Sequence, residues 1–164
     1  MSVKLVLVRG LPGAGKSTLA EKIKNHFDSA FCMTPFCHEA DKYWVRPDGT
    51  YDFNPKNISK AHKWCTEQAK RTTELDRDDP EPYAFTIVSN TFTTLKEMQP
   101  YLDMVDAENV VVVHCTNNYG SIHDVPSHTI NKMEQRWQDT PSHLREIKYN
   151  GENFEEVLDF VLSD

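Results

Sequence analysis

Gly10-Leu11-Pro12-Gly13-Ala14-Gly15-Lys16-Ser17-Thr18 is the stretch from which the rest of the chain can be read. It holds three of the protein's six glycines. A glycine-poor chain that gathers half of them in one loop needs a backbone there that other residues resist. Just before it, Val3, Leu5, Val6, Leu7 and Val8 form an almost unbroken apolar run. Such a run fits a strand buried on both faces, as in a parallel sheet. Just after it, Leu19, Ala20, Ile23 and Phe27 recur at helical spacing, with Glu21, Lys22 and Lys24 between them. The order is strand, glycine loop, helix.

The loop fits the pattern G-x-x-x-x-G-K-S/T. Each part has a physical task. The glycines let the main chain curl so that successive N–H groups point inward at phosphate oxygens. The helix that follows adds the partial positive charge of its N-terminus. Lys16 reaches the outer phosphates, and the Ser17 hydroxyl is a ligand for Mg²⁺. Gly10, Pro12, Gly13, Ala14, Gly15, Lys16, Ser17 and Thr18 therefore form the expected cradle for a purine or pyrimidine nucleoside triphosphate with magnesium. Kinases, GTPases, motors and regulators share this loop, so binding alone does not name a reaction.

The chain has 164 residues, which predicts one domain over 1–164. Lys and Arg number 18 against 25 Asp and Glu, a net charge of −7. That balance argues against indiscriminate coating of nucleic acid but leaves room for one local basic groove. No apolar run approaches the roughly 18 residues of a membrane-spanning helix. The first residues read as a buried strand rather than a signal peptide. Cys32, Cys37, Cys65 and Cys115 read as free thiols of a reducing cytoplasm, because a globular chain of this size needs no disulfide staples. Cys32, Cys37 and His38 lack the further ligands that would complete a tetrahedral metal set.

Downstream, strands and helices keep alternating. Ala30 to Met33 reads as a second strand, and 35–56 as irregular chain broken by Pro47, Asp48-Gly49 and Pro55. Ile58, Ala61, Cys65 and Ala69 predict a helix over about 57–76. The acidic stretch 76–83 reads as a surface turn, and Ala84 to Val88 as a strand. Thr94-x-x-Glu97 resembles a capping box for a helix carrying Leu95, Met98, Leu102 and Val105, with Pro100 predicting a kink. Asn109 to Cys115 is the strongest buried strand. Ile130, Met133 and Trp137 mark a helix, Ile147 to Tyr149 a short strand, and Phe154, Val157, Leu158, Val161 and Leu162 a closing amphipathic helix. Five strands alternating with helices predict a three-layer α/β fold, a parallel sheet with helices on both faces.

In doubly wound sheets the chemistry lies at the carboxyl ends of the strands. After the second strand stands Glu39-Ala40-Asp41-Lys42-Tyr43-Trp44-Val45-Arg46. Asp41 is a candidate base for an acceptor hydroxyl, and Arg46 a candidate grip on an acceptor phosphate; a solvated turn explains the pattern equally well. Tyr43, Trp44, Tyr51 and Phe53 cluster around Asp41. Such rings stack a nucleobase or pack a small satellite core; packing is favoured for Phe53, and Trp44 stays open. Ser89, Asn90 and Thr91 follow the next strand, where nucleotide-binding folds often place an acid for magnesium.

Several strings together resemble the P-loop kinases of the phage polynucleotide kinase type. GLPGAGKST is the generic part; EADKYW, DGTYDFNP followed by AHKW, SNT, KEMQPYL and IHDVPSHTINKMEQRW carry the rest, over about residues 5–137. The resemblance implies a P-loop kinase fold with strand order 2-3-1-4-5. It implies ATP and Mg²⁺ as cofactors, Lys16 and Asp41 as catalytic residues, and Asp41 as general base toward a 5′-hydroxyl. Arg46, Trp44, Asn90 and Thr91 become candidate acceptor contacts. The implied partner is a nucleic-acid end or a nucleotide, in a cytoplasmic protein of a family that phages also encode. No membrane is implied.

Departures accompany it. The family's acid before the N-T pair is Ser89 here, and Phe92 stands where an asparagine is common. Trp44 occupies a position that holds arginine in the phage type. Between Cys115 and Pro126 no lysine or arginine replaces the family's lid arginines, each worth about 10³–10⁵ in rate where one clamps the transferring phosphate. Arg136, Arg46, Lys42 and Arg145 are the candidate substitutes, with Arg136 on the helix face opposite Ile130, Met133 and Trp137. His114 reads as a core-edge residue, and His123 matches the lid histidine without a role. Three readings stay open: a polynucleotide or nucleotide 5′-kinase, a small-molecule kinase for nucleosides or nucleotides, and a non-catalytic ATP-binding protein.

Overall fold

The computed structural model describes residues 3–31, 33, 35–75, 85–120 and 123–163. Five strands, β1 (Leu5–Arg9), β2 (Phe36–His38), β3 (Thr86–Ser89), β4 (Val110–Cys115) and β5 (Arg145–Tyr149), form one sheet in the order β2-β3-β1-β4-β5. All four pairings are parallel; Leu5 stands opposite both Thr86 and Val110. The order and the parallel sense are those the sequence resemblance implies. The helices are α1 (Lys16–Phe31), α2 (Ile58–Leu75), α3 (Leu95–Leu102), α4 (Ser127–Arg136) and α5 (Phe154–Leu162).

The unbroken apolar run of β1 is explained by two cores. Val6 and Val8 point to one face, where they meet Leu19, Ile23 and Phe27 of α1 and Val157, Leu158 and Val161 of α5. Leu5 and Leu7 point to the other, against Ala61, Cys65 and Ala69 of α2 and Met98 and Tyr101 of α3. A strand between two such layers has no polar face to show. Helix α4 differs: it has no fully buried residue.

Four expectations change. Ala30 and Phe31 are helical and not part of a strand; α1 continues through Phe31, whose ring lies 5.5 Å from Phe27 one turn back. The second strand comes later, at Phe36–His38, a three-residue edge strand that is only half-buried. Helix α3 runs on through Pro100 and stops at Leu102, so Val105 lies beyond it. Strand β5 begins at Arg145, two residues before its apolar part. The capping residue is Thr94, whose hydroxyl accepts from Glu97 N–H; the Glu97 carboxylate, however, takes the N–H and hydroxyl of Thr93, one residue earlier than a capping box requires. Cys32, Ala84 and the acidic stretch 76–83 lie outside the described residues. Cys37, Cys65 and Cys115 are free thiols.

Candidate active site at the phosphate loop

The loop between β1 and α1 owes its course to its glycines. A Cβ at Gly10 would sit 2.8 Å from the Cys115 carbonyl oxygen of β4, closer than real contacts allow. Gly13 and Gly15 hold φ of 85° and 88°, the left-handed region that other residues resist. The Gly10 N–H reaches the Thr91 carbonyl, and the Gly13 carbonyl accepts from Tyr119 N–H at 2.7 Å. The loop is thus tied on one side to the end of β3 and on the other to the segment after β4. The Tyr119 ring lies over Gly15, where a Cβ would meet it at 3.0 Å. Asn117 holds that ring's hydroxyl at 2.8 Å and the Asn150 carbonyl at 3.0 Å.

Lys16 turns back into its own loop, donating to the Leu11 carbonyl at 3.0 Å. Burial lowers its ammonium pKa; nearby anionic groups, Asp41 and Glu39 among them, oppose that shift. Both carboxylates are therefore near enough to be felt by the loop lysine, although they belong to the turn after β2. Ser17 Oγ donates to Glu39 Oε2 at 3.0 Å. The Ser17 hydroxyl is an oxygen donor of the kind magnesium takes, so the loop fits that ion. Burial pushes the Cys115 thiol, behind Gly10, up to about 12, which keeps it neutral. A cavity of about 400 Å³ opens between Leu11 and Ala14 of the loop, Thr116 and Asn117 after β4, and Glu134 and Trp137 at the end of α4.

Asp41 rides on a short 3-10 turn, Ala40–Trp44. Asn90 anchors this turn: its side-chain oxygen accepts from Ala40 N–H at 2.9 Å, while its amide faces the Cys65 sulfur. Burial raises the Tyr51 phenol to about 12, helped by the charge of Asp41 and a contact between hydroxyl and carboxylate. His123 stacks on Tyr51 with ring centroids 4.0 Å apart. The segment leading into α4 therefore touches the Asp41 side of the cleft.

The other sequence candidates fall as follows. Trp44 is 6% exposed and packs in the second core, in T-shaped contact with Tyr43 and Phe53. Phe53, expected to pack, is 50% exposed, and Tyr51 is 37% exposed. Arg46 is paired with Asp52 on the surface. Asn90 is buried and occupied by Ala40, and Thr91 lends its carbonyl to Gly10. Arg136 Nε donates to the Thr93 hydroxyl at 3.0 Å. Arg145 is held by Phe160 and Ser163 beside α5.

Sequence reading passed over Arg9. It is fully buried at the end of β1, donates to the Phe92 and Gln138 carbonyls and the Thr140 hydroxyl, and lies 4.0 Å over the Trp137 ring. Trp137 in turn stacks on His114 at 4.8 Å. The available signal was a cation closing a strand buried on both faces: it has to find carbonyls. Tyr119 and Glu39 carried no such signal.

No family model matches the chain. It is 34% identical over 98 residues to human NEDD4-binding protein 2, covering 60% of this chain and 5% of that protein. An APS kinase of Mycobacterium tuberculosis superposes with a TM-score of 0.61 at 14% identity, over 98% of each chain. A sugar kinase of Janibacter superposes at 0.64 and 12% identity, over 98% of this chain and 92% of the other. The fold is that of the P-loop kinases. At such identities the likeness extends to the fold alone, so the substrates have to be argued from the cleft.

Proposed function

We propose that the protein is an ATP-dependent phosphotransferase that uses Asp41 as general base toward a hydroxyl, most specifically the 5′-hydroxyl of a polynucleotide or nucleotide end. The observation that carries this reading is the hydrogen bond from Ser17 Oγ to Glu39 Oε2, which draws the turn after β2, with Asp41 two residues further on, against the phosphate loop. The curled N–H groups of 10–18 hold the triphosphate, and Lys16 exchanges the Leu11 carbonyl for phosphate oxygens. Ser17 would hold Mg²⁺, which when bound neutralises charge on the transferring group. Asp41 takes the acceptor proton as the hydroxyl oxygen attacks in line. The exposed Phe53 ring, parallel to the Tyr51 ring that lies beside Asp41, supports an acceptor with a flat face, which favours a nucleotide over a plain sugar.

A small-molecule kinase for nucleosides or nucleotides is the second reading, favoured by the net charge of −7, which repels a long polyanion. Labelled ATP offered with DNA, RNA and mononucleotides separates the two, and a steep salt dependence of acceptor binding marks a strand groove. Asp41→Asn is expected to reduce transfer by about 10²–10⁴ while leaving ATP binding intact. Normal transfer by that variant removes Asp41 from its role. Tight ATP binding with no transfer to any acceptor converts the protein into a non-catalytic nucleotide binder.

A further inference from the structure

Glu39 stands at the N-cap of the Ala40–Trp44 turn in extended backbone, φ −148° and ψ 143°. Residues with a short side-chain acceptor commonly turn it onto the free N–H groups of such a turn. Glu39 makes no such bond. The Ala40 N–H is taken by Asn90. The carboxylate is instead carried across to the phosphate loop, where Oε2 accepts from Ser17 Oγ at 3.0 Å.

Ser89, at the end of β3, has an uncharged hydroxyl that is 5% exposed and finds no partner among the described residues. A triphosphate with a divalent ion gains from a protein carboxylate near the metal, and Ser89 cannot supply one. Magnesium holds its oxygens at about 2.0–2.1 Å in an octahedron, which sets adjacent oxygens about 3 Å apart. The Ser17 and Glu39 oxygens already have that separation. We infer that Glu39 and Ser17 together form the protein's side of the site for the divalent cation that accompanies the triphosphate. This rests on the nucleotide-binding reading above and goes beyond it by naming the carboxylate.

The charge of Glu39 gives the inference a signature with opposite signs. Without a cation, the carboxylate repels the triphosphate; with one, it helps hold the metal complex. A residue that merely shapes the loop would move both affinities the same way. Isothermal titration with the non-hydrolysable analogue AMPPNP, in excess Mg²⁺ and separately in EDTA, reads both. Glu39→Gln is expected to lose about ten- to hundredfold in affinity with Mg²⁺, while its affinity in EDTA holds or rises. Glu39→Asp, which keeps the charge, recovers part of the loss. Direct Mn²⁺ titration of the AMPPNP complex, followed by electron paramagnetic resonance, should show the same weakening in Glu39→Gln. Wild-type behaviour of Glu39→Gln in Mg²⁺, or an equal loss in both buffers, overturns the inference alone. No heat from the wild type in either buffer overturns the nucleotide-binding reading itself, and this inference with it.

Discussion

On the loop side of the cleft, Gly10 lies against the Cys115 carbonyl and Gly13 and Gly15 hold left-handed backbone. On the facing side, Asp41 sits on a five-residue 3-10 turn whose first N–H is held by a single side-chain amide, that of Asn90. The loop wall is fixed by main-chain geometry and two cores; the other wall is fixed by side chains, several of them exposed. Main-chain geometry tolerates few sequences, whereas a side-chain anchor can be replaced one residue at a time. On the proposed function, holding phosphates is the task of the rigid wall, and the choice of acceptor falls to the adjustable one.

The largest expected effect breaks the rigid wall. Lys16→Ala removes the cation that bonds within the loop and should lower phosphate transfer by about 10³ or more, with nucleotide affinity falling as well; titration calorimetry and a labelled-ATP assay read both. Next comes Arg9→Met, which leaves the Phe92 and Gln138 carbonyls and the Thr140 hydroxyl without their donor and should cost about 3 kcal/mol in urea unfolding. Asn90→Ala tests the other wall. It should cost only about 1–2 kcal/mol of stability but weaken acceptor binding more than ATP binding, because the Ala40 N–H and the turn behind Asp41 lose their anchor. Equal losses for both substrates would erase the distinction between the walls.

The smallest effect is a pH slope. Burial lowers the pKa of His38, at the end of β2, and of His114, at the end of β4, below the usual histidine value. Both are therefore kept neutral in the folded protein, and below about pH 6.5 the unfolded chain takes up protons more readily than the folded one. Their contribution is complete above that pH and is lost as the pH falls toward 5. Melting temperatures measured between pH 7.5 and 5 should drop, and His114→Gln should flatten the slope.

The chain spelled out the loop wall in advance, since Gly10 to Thr18, the run 3–8 and the spacing of Leu19, Ile23 and Phe27 are local patterns with one physical reading each. The strands at 110–115 and the helix at 154–162 were legible for the same reason. Strand β2 was not: three half-buried residues at a sheet edge carry neither a continuous nor an alternating pattern. Which of Trp44 and Phe53 turns inward was hidden too, because that depends on how α2 packs against the Ala40–Trp44 turn, and not on spacing. Glu39 lay in plain sight within EADKYW, yet its contact with Ser17 joins residues 22 apart through the return of the chain at β2.

The Lys16 ammonium rests on the Leu11 carbonyl at 3.0 Å, inside the loop that it serves. With its charge already met by a neighbouring peptide, the ammonium is held in place by the loop's own main chain. On the proposed function, an arriving phosphate swaps one oxygen for another around the same nitrogen, so that little ordering entropy is lost on docking.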